Sequence, residues 1–245
     1  MKITIAENKA VISKKAAEEA TRILKKSIKK NGSARLLLST GISQIDFFKN
    51  MIKKNIDWSK VEVFHMEGFI GLSLNHKASS VSFLKHYFLD HVTVGKVNLI
   101  STNENINRTI SILNKKIRKR PIDLGIVSVG ISGHIAFNNP PANFVIKQPF
   151  IKVKVDDLTK RYFLRTQNFK SLDEIPEEAI TITVHQILQT KNIISVIPDK
   201  IRAHAISKIL RERVTNMVPG TALKKHKKWS LYLDHNSASE IIKCY

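Results

Sequence analysis

Apolar residues recur along this chain with two periods that replace one another in turn. Residues 2–12 alternate weakly, as in a short edge strand or an extended lead-in. From Ser13 the pattern turns helical, with Ala16, Ala17, Ala20, Ile23, Leu24 and Ile28 at spacings of three and four. Ser13 is the expected N-cap and Asn31-Gly32 the stop. Arg35-Leu36-Leu37-Leu38 reads as a buried strand, and the helix after it carries Ile45, Phe48, Met51 and Ile52 on one face. Residues 61–66 are strand-like and Glu67 falls where that strand ends, while 97–100 form another. The next helix spans 103–118, striped by Ile106, Ile110, Leu113 and Ile117.

The second half repeats the alternation. Residues 122–129 are apolar, bounded by Pro121 and Gly130, and suit a strand buried on both faces of a sheet. Strands at 151–155, 179–184 and 193–197 follow, with helices over 159–169, around Gln186 and over 201–213, and a last strand at 229–233. Strands alternating with helices predict an α/β fold: one doubly wound domain over residues 1–245 with a mostly parallel sheet.

Composition narrows the class. A content of 42% hydrophobic and 25% charged residues is that of a globular chain and excludes a disordered one. The one cysteine, Cys244, excludes an intramolecular disulfide and a cysteine zinc cluster, and fits a reducing compartment. No apolar run approaches the roughly 18 residues of a membrane span, and the N-terminus has no signal pattern. The expectation is a soluble cytoplasmic protein without a membrane partner.

The formal charge of +21 is the one extreme value. It raises nucleic acid as a partner, since clustered Lys and Arg neutralise phosphates. The basic residues are dispersed, however, from Lys25-Lys26 to Lys115-Lys116 and 224–228, and no zinc finger, RNA-recognition motif or recognition helix appears. A basic field that attracts phosphorylated metabolites accounts for the charge without nucleic acid.

Three stretches carry candidate chemistry. Residues 121–144, PIDLGIVSVGISGHIAFNNPPANF, run from a buried strand into glycines that permit a sharp turn, and place His134 at the strand's carboxyl end. Open α/β sheets bind ligands at that edge. Residues 39–44, STGISQ, join a strand to a helix with small and hydroxyl-bearing side chains, where backbone N–H groups and hydroxyls can surround an anion. Glu67 ends the third strand. Read singly, these are also an ordinary loop histidine, an ordinary βα turn and a surface glutamate.

Together they resemble one family in one order. VGISGHIAFNNPP is similar to the segment G-x-G-x-D/N-G-H-I/L-A-F-N-D/E-P of the glucosamine-6-phosphate deaminases, whose G-x-G-x-D-G-H core the 6-phosphogluconolactonases share. STGISQ resembles the family's T-G-G/A-S/T phosphate loop, and VEVFHMEGFIGL its F-x-M/L-D-E-Y-V/I-G-L. Asn75-His76, residues 79–83, EIPEEAITITVHQIL and the C-terminal MVPGTALKKHKKWSLYL match further family segments, so the resemblance covers nearly the whole chain.

The resemblance implies a Rossmann-like fold of the deaminase and ribose-phosphate isomerase type, a small sugar phosphate as partner, and no metal or cofactor. It implies that Thr40, Gly41, Ile42 (through its backbone), Ser43 and Lys200 hold the phosphate, with Arg165 or Gln167 as a further contact. It also implies that His134 opens the sugar ring and Glu67 moves a proton between C2 and C1. The departures fall in the chemistry: Glu67 stands where the family has Asp, Gly68 where it has a second acid, and Ser132 and Asn139 where it has the carboxylates that orient and charge the histidine. The expected activity is therefore isomerisation of an amino or neutral hexose 6-phosphate, with or without ammonia release. A sugar-phosphate-binding protein that has lost catalysis and a lactonase-like hydrolase stay open, as does a homo-oligomer.

Overall fold

The computed structural model describes residues 1–101, 105–166 and 169–242; Asn103, Gln167 and Cys244 lie outside the described residues. The chain runs β1 (Lys2–Ala6), α1 (Lys9–Asn31), β2 (Ala34–Leu38), α2 (Ile45–Met51), β3 (Val61–His65), β4 (Glu67–Phe69), α3 (Ser80–Tyr87), β5 (Lys96–Asn98), α4 (Ile106–Arg118) and β6 (Leu124–Ile126). It continues through β7 (Phe150–Lys154), α5 (Asp157–Thr166), β8 (Glu178–Ile182), α6 (Val184–Leu188), β9 (Ile193–Ile197), α7 (Ala203–Arg211), β10 (Trp229–Asp234) and α8 (Ser239–Ile242).

Seven strands form a parallel sheet in the order β1-β10-β9-β6-β2-β3-β5. Successive side chains of a strand face opposite ways. Leu36 and Leu38 of β2 therefore pack with Leu24 of α1 and Phe48 of α2 on one face, while Leu37 packs with Leu113 of α4 and Ile206 of α7 on the other. Both faces are covered, which is why the strands read as continuous apolar runs. From β2 the chain works outward to β3 and β5, then returns to lay β6 on the opposite flank of β2. The carboxyl ends of β2 and β6 thus border the crevice where such sheets bind ligands. A small antiparallel sheet, β4-β8-β7, stands beside this one.

Among the boundaries that differ from the sequence expectation, three have a physical reason. Helix α1 is capped by Asn8, whose Oδ1 accepts from the N–H groups of Ala10 and Val11 at 3.0 and 3.1 Å, and Ser13 lies buried inside the helix. The first turn is largely solvent-facing, so the apolar period starts later than the helix does. At the other end Gly32, with φ of 72°, donates its N–H to the Ile28 carbonyl, as expected. Strand β6 is shorter than residues 122–129: Val127 and Val129 remain buried, but beyond Val127 the backbone leaves the ladder to build the site. The helix expected from 201 begins as a 3-10 turn, Lys200–Arg202, before α7.

At the amino ends of the strands, buried charge is fully paired. Arg35, 1% exposed, donates to the Glu62 carboxylate at 2.8 Å and to the carbonyls of Lys116, Ile117 and Arg120 at the end of α4. Its guanidinium lies 4.7 Å from the centre of the Phe64 ring. Asp123 accepts from the Arg35 backbone N–H at 2.9 Å and from Lys191 at 2.7 Å.

Candidate active site

At the opposite edge a single cleft gathers the loops that follow β2, β3, β6 and β9. Ser39, Thr40, Gly41, Ser43, Glu67 and His134 all lie on its wall. Elements far apart in sequence meet here because the sheet reverses its direction of growth between β2 and β6.

Glu67 is placed by both sheets. Met66 separates β3 from β4; its N–H donates to the Leu38 carbonyl at 3.2 Å, and its carbonyl accepts from Ile182 of β8 at 2.8 Å. Glu67 itself pairs with Thr181 of β8. Thr40 Oγ1 donates to its Oε1 at 3.0 Å, while Oε2 is enclosed and has no partner among the described residues. Enclosure of a half-satisfied carboxylate disfavours its charged form, so burial pushes the Glu67 carboxyl up to about 7 against the opposing pull of the Thr40 hydrogen bond. It sits at the protonation point of a general base working near neutral pH.

His134 is seated by glycine chemistry. Gly133, at φ of 77°, closes a turn by donating to the Gly130 carbonyl at 3.0 Å, and Gly130 donates to the His134 carbonyl at 3.0 Å. The imidazole then lies directly on Gly130: a Cβ there would stand 2.0 Å from its Cε1 and Nε2. Ser132 Oγ and His134 Nδ1 share a hydrogen bond at 2.8 Å. Burial holds the imidazole down to about 4; Asp156 opposes this and Arg202 adds to it. The ring is thus neutral at pH 7 and available to accept a proton.

Strand β8 couples these two groups. Thr181, opposite Glu67, accepts the Phe137 N–H on its Oγ1 at 3.0 Å, and Asn138 Nδ2 donates to the Ile182 carbonyl at 2.8 Å. Both bonds tie the His134 loop to the strand that carries the register of Glu67. Sequence reasoning did not assign Thr181 or Asn138 a role; a threonine inside an apolar strand and two consecutive asparagines after the histidine were the available signals.

The other expected residues divide. Ser132 meets the histidine. Asn139 does not: its Oδ1 accepts from Thr159 Oγ1 at 3.4 Å, and its Nδ2 is buried without a partner among the described residues. Thr40, Gly41 and Ser43 line the cleft in a loop pinned by Gln44, whose Nε2 donates to the Val196 carbonyl at 3.0 Å. The Ile42 side chain is exposed and off the wall. Lys200 is exposed and off the wall as well, whereas Arg202 is 6% exposed and on it. The 3-10 turn explains the exchange, since with three residues per turn positions 200 and 202 face different ways. Lys77, at the exposed rim, and Tyr162 of α5 also line the cleft. Among the described residues no group of three His, Cys, Asp or Glu is placed to hold a metal ion, and no helix is long and apolar enough to cross a membrane.

Known proteins resemble this chain in sequence and in fold. A glucosamine-6-phosphate deaminase of Thermoanaerobacter sp. (strain X514) is 33% identical over 251 residues, covering 98% of this chain and 95% of that protein. That of Dictyostelium discoideum is 28% identical over 249 residues, covering 94% and 91%. Among solved structures, a monomeric glucosamine-6-phosphate deaminase superposes with a TM-score of 0.89 at 23% identity, covering 98% of this chain and 99% of its own. The 6-phosphogluconolactonase of Thermotoga maritima superposes with a TM-score of 0.78 at 13% identity, covering 95% and 98%. Residues 7–232 match the model of one family, and the chain therefore belongs to the glucosamine-6-phosphate isomerases/6-phosphogluconolactonase family.

Proposed function

We propose that the chain works as one domain that binds a hexosamine 6-phosphate in the cleft and converts the aldose to the ketose, releasing ammonia from the amino sugar. His134, held neutral by burial, accepts the proton of the anomeric hydroxyl and returns it to the ring oxygen, which opens the ring. Glu67 removes the proton at C2 and delivers it to C1, while the C1 oxygen takes up a proton given by the C2 ammonium or hydroxyl. With an amine at C2, the resulting iminium adds water and expels ammonia to leave the ketone; with a hydroxyl there, the same proton transfer stops at the ketose. Thr40, Gly41, Ser43 and the backbone of Ile42 hold the phosphate, together with a cation from the 200–202 turn.

One observation carries this reading: an enclosed carboxylate with a pKa near 7 stands on the wall of the cleft that also holds His134 and the hydroxyl-rich loop. Hydrolysis of a lactone needs no base at C2 and would leave Glu67 without a role. The binder reading draws on Ser132 and Asn139, which stabilise an imidazolium far less than carboxylates would. A panel of amino and neutral hexose 6-phosphates and 6-phosphogluconolactone, followed for ammonia, ketose, lactone hydrolysis and exchange of the C2 proton with solvent, separates the three. Exchange in the wild type that vanishes in Glu67→Gln supports the isomerase. Binding without exchange of any ligand in the panel leaves the binder, and hydrolysis of 6-phosphogluconolactone without exchange the hydrolase.

A further inference from the structure

Basic residues that are dispersed along the sequence are gathered by the strand order. All seven strands of the large sheet run parallel, so the segments that enter them lie along one edge, opposite the cleft. The four central entries are, in spatial order, those of β10, β9, β6 and β2. Lys227 and Lys228 lead into β10, Lys191 into β9 and Arg120 into β6, while Lys29 and Lys30 close α1 just before β2. Neighbouring entries are stitched together: Arg120 Nη1 donates to Ser33 Oγ at 3.0 Å, the Lys191 N–H to the Ile122 carbonyl at 2.9 Å, and the Ile193 N–H to the Lys228 carbonyl at 2.9 Å. With neighbouring strands roughly 4.8 Å apart, the row is about 15 Å across. The one carboxylate within these entries, Asp123, is buried and held by Lys191 at 2.7 Å and Arg120 at 3.9 Å. Lys29, Lys30, Lys119, Lys227 and Lys228 are exposed, and none has a carboxylate partner among the described residues.

Cations at the carboxyl end of a helix complement its dipole, but each such end amounts to only about half a charge. Helix α4 alone closes with Lys115, Lys116 and Arg118, and Lys227-Lys228 follow no α-helix but a 3-10 turn, Pro219–Lys225. The dipoles therefore leave most of this charge unmatched. Like charges set in a row repel one another, and a polyanion laid along the row removes that repulsion. The four entries expose no large apolar side chain and contain no Phe, Tyr or Trp, so nothing there inserts into a bilayer or stacks on a base. We infer that the amino edge of the sheet docks a nucleic-acid strand through its phosphate backbone, without preference for sequence. The inference is independent of the chemistry proposed for the cleft, which opens on the other edge. At about 3.4 Å of strand per phosphate, the row meets about five phosphates.

The test titrates the protein with two unrelated, labelled single-stranded DNAs of about 20 nucleotides, at several salt concentrations, and follows fluorescence anisotropy. Five contacts predict that affinity falls about a hundredfold between 50 and 200 mM salt, equally for both sequences. Lys29→Gln with Lys30→Gln removes two contacts, which at 100 mM salt predicts a loss of about 25-fold and a log–log salt slope shallower by about 1.4. Lys227→Gln with Lys228→Gln repeats the test at β10, and thermal melts verify that both double variants fold. The control is Lys14→Gln with Lys15→Gln, the same change of charge about 22 Å away on the same helix, which should alter affinity by no more than about twofold. A loss in the control equal to that in the edge variants overturns the inference, because the field is then diffuse. So does wild-type protein that binds neither strand at 50 mM salt, or that prefers one sequence more than tenfold. Capture by phosphatidylserine vesicles that the oligonucleotides do not displace overturns it in favour of a membrane surface.

Discussion

At the amino ends of β2 and β6, Arg35 and Asp123 are buried and every charge has a partner; at the carboxyl edge of the sheet, groups are just as enclosed and several have none. Arg35 gathers three helix-end carbonyls and a carboxylate. Glu67 keeps an empty Oε2, Asn139 an empty Nδ2, and His65, fully buried at the end of β3, an unpartnered Nδ1. Burial forces His65 down to about 3, so it stays neutral and accepts the Ile100 N–H at 2.6 Å. Of these three groups only Glu67 lies on the wall of the cleft, where a ligand can reach it. An unmet hydrogen bond on the wall of a cleft is what a binding site looks like before its ligand arrives.

Breaking the paired end should have the largest effect on stability. Arg35→Met leaves the carbonyls of Lys116, Ile117 and Arg120 without their donor and Glu62 with only Asn98 and Lys96, and should cost about 3–5 kcal/mol, read from the urea midpoint, while the folded fraction keeps its turnover. Equal loss of turnover per folded molecule would show that the two ends are coupled.

At the site the signs reverse. Glu67→Gln should slow C2 exchange by about 10²–10⁴-fold and yet stabilise the protein. The folded-state pKa near 7 exceeds the ordinary value of 4.5, so the wild type loses stability as pH rises from 4.5 through 7. The variant should gain on it across that window, by up to about 3 kcal/mol, and hold a constant lead above it. A melting temperature that stays below wild type at pH 8 would contradict the enclosed, half-satisfied carboxylate.

Gly130→Ala should displace the imidazole, because the added Cβ falls on it. A shift near 1 Å predicts about a hundredfold loss of rate with only a modest loss of stability. Smaller still is the gain from Ser132→Asp and Asn139→Glu. Ser132→Asp should raise activity through its contact with His134, whereas Asn139→Glu, at a position that meets Thr159 and not the imidazole, should act independently; non-additivity of the pair would show that position 139 reaches the histidine after all. Finally, kcat/KM should rise about tenfold per pH unit up to about 7, the ionisation of Glu67, and then level off. His134, held near 4, contributes no limb above pH 5. A profile already flat from pH 5.5 would remove Glu67 as the base.

Much of the fold was legible because double-sided burial writes itself as unbroken apolar runs, as in Leu36-Leu37-Leu38 and 193–197. The small sheet was not, because β4 has three residues and its partners lie far along the chain. Of the site, Glu67, His134 and the 39–43 loop were readable from motifs that survive as strings. Arg202 was not, because whether 200 or 202 faces inward is decided by the pitch of a single 3-10 turn. Arg35 looked like part of a strand, and its function as a clasp on α4 needs the tertiary fold to be seen.

Met66 is the sole residue between two hydrogen-bonded ladders, and that gives the Glu67 carboxylate a fixed address. Were the backbone free, the extra methylene of a glutamate could be absorbed by letting the strand retreat. Here β3 and β8 hold either side, and the side chain alone must fold up to make room. Insertions or deletions at this junction would turn Glu67 to the opposite face of β4, so length variation among working descendants of this chain should be absent at Met66 even where loops a few residues away vary freely.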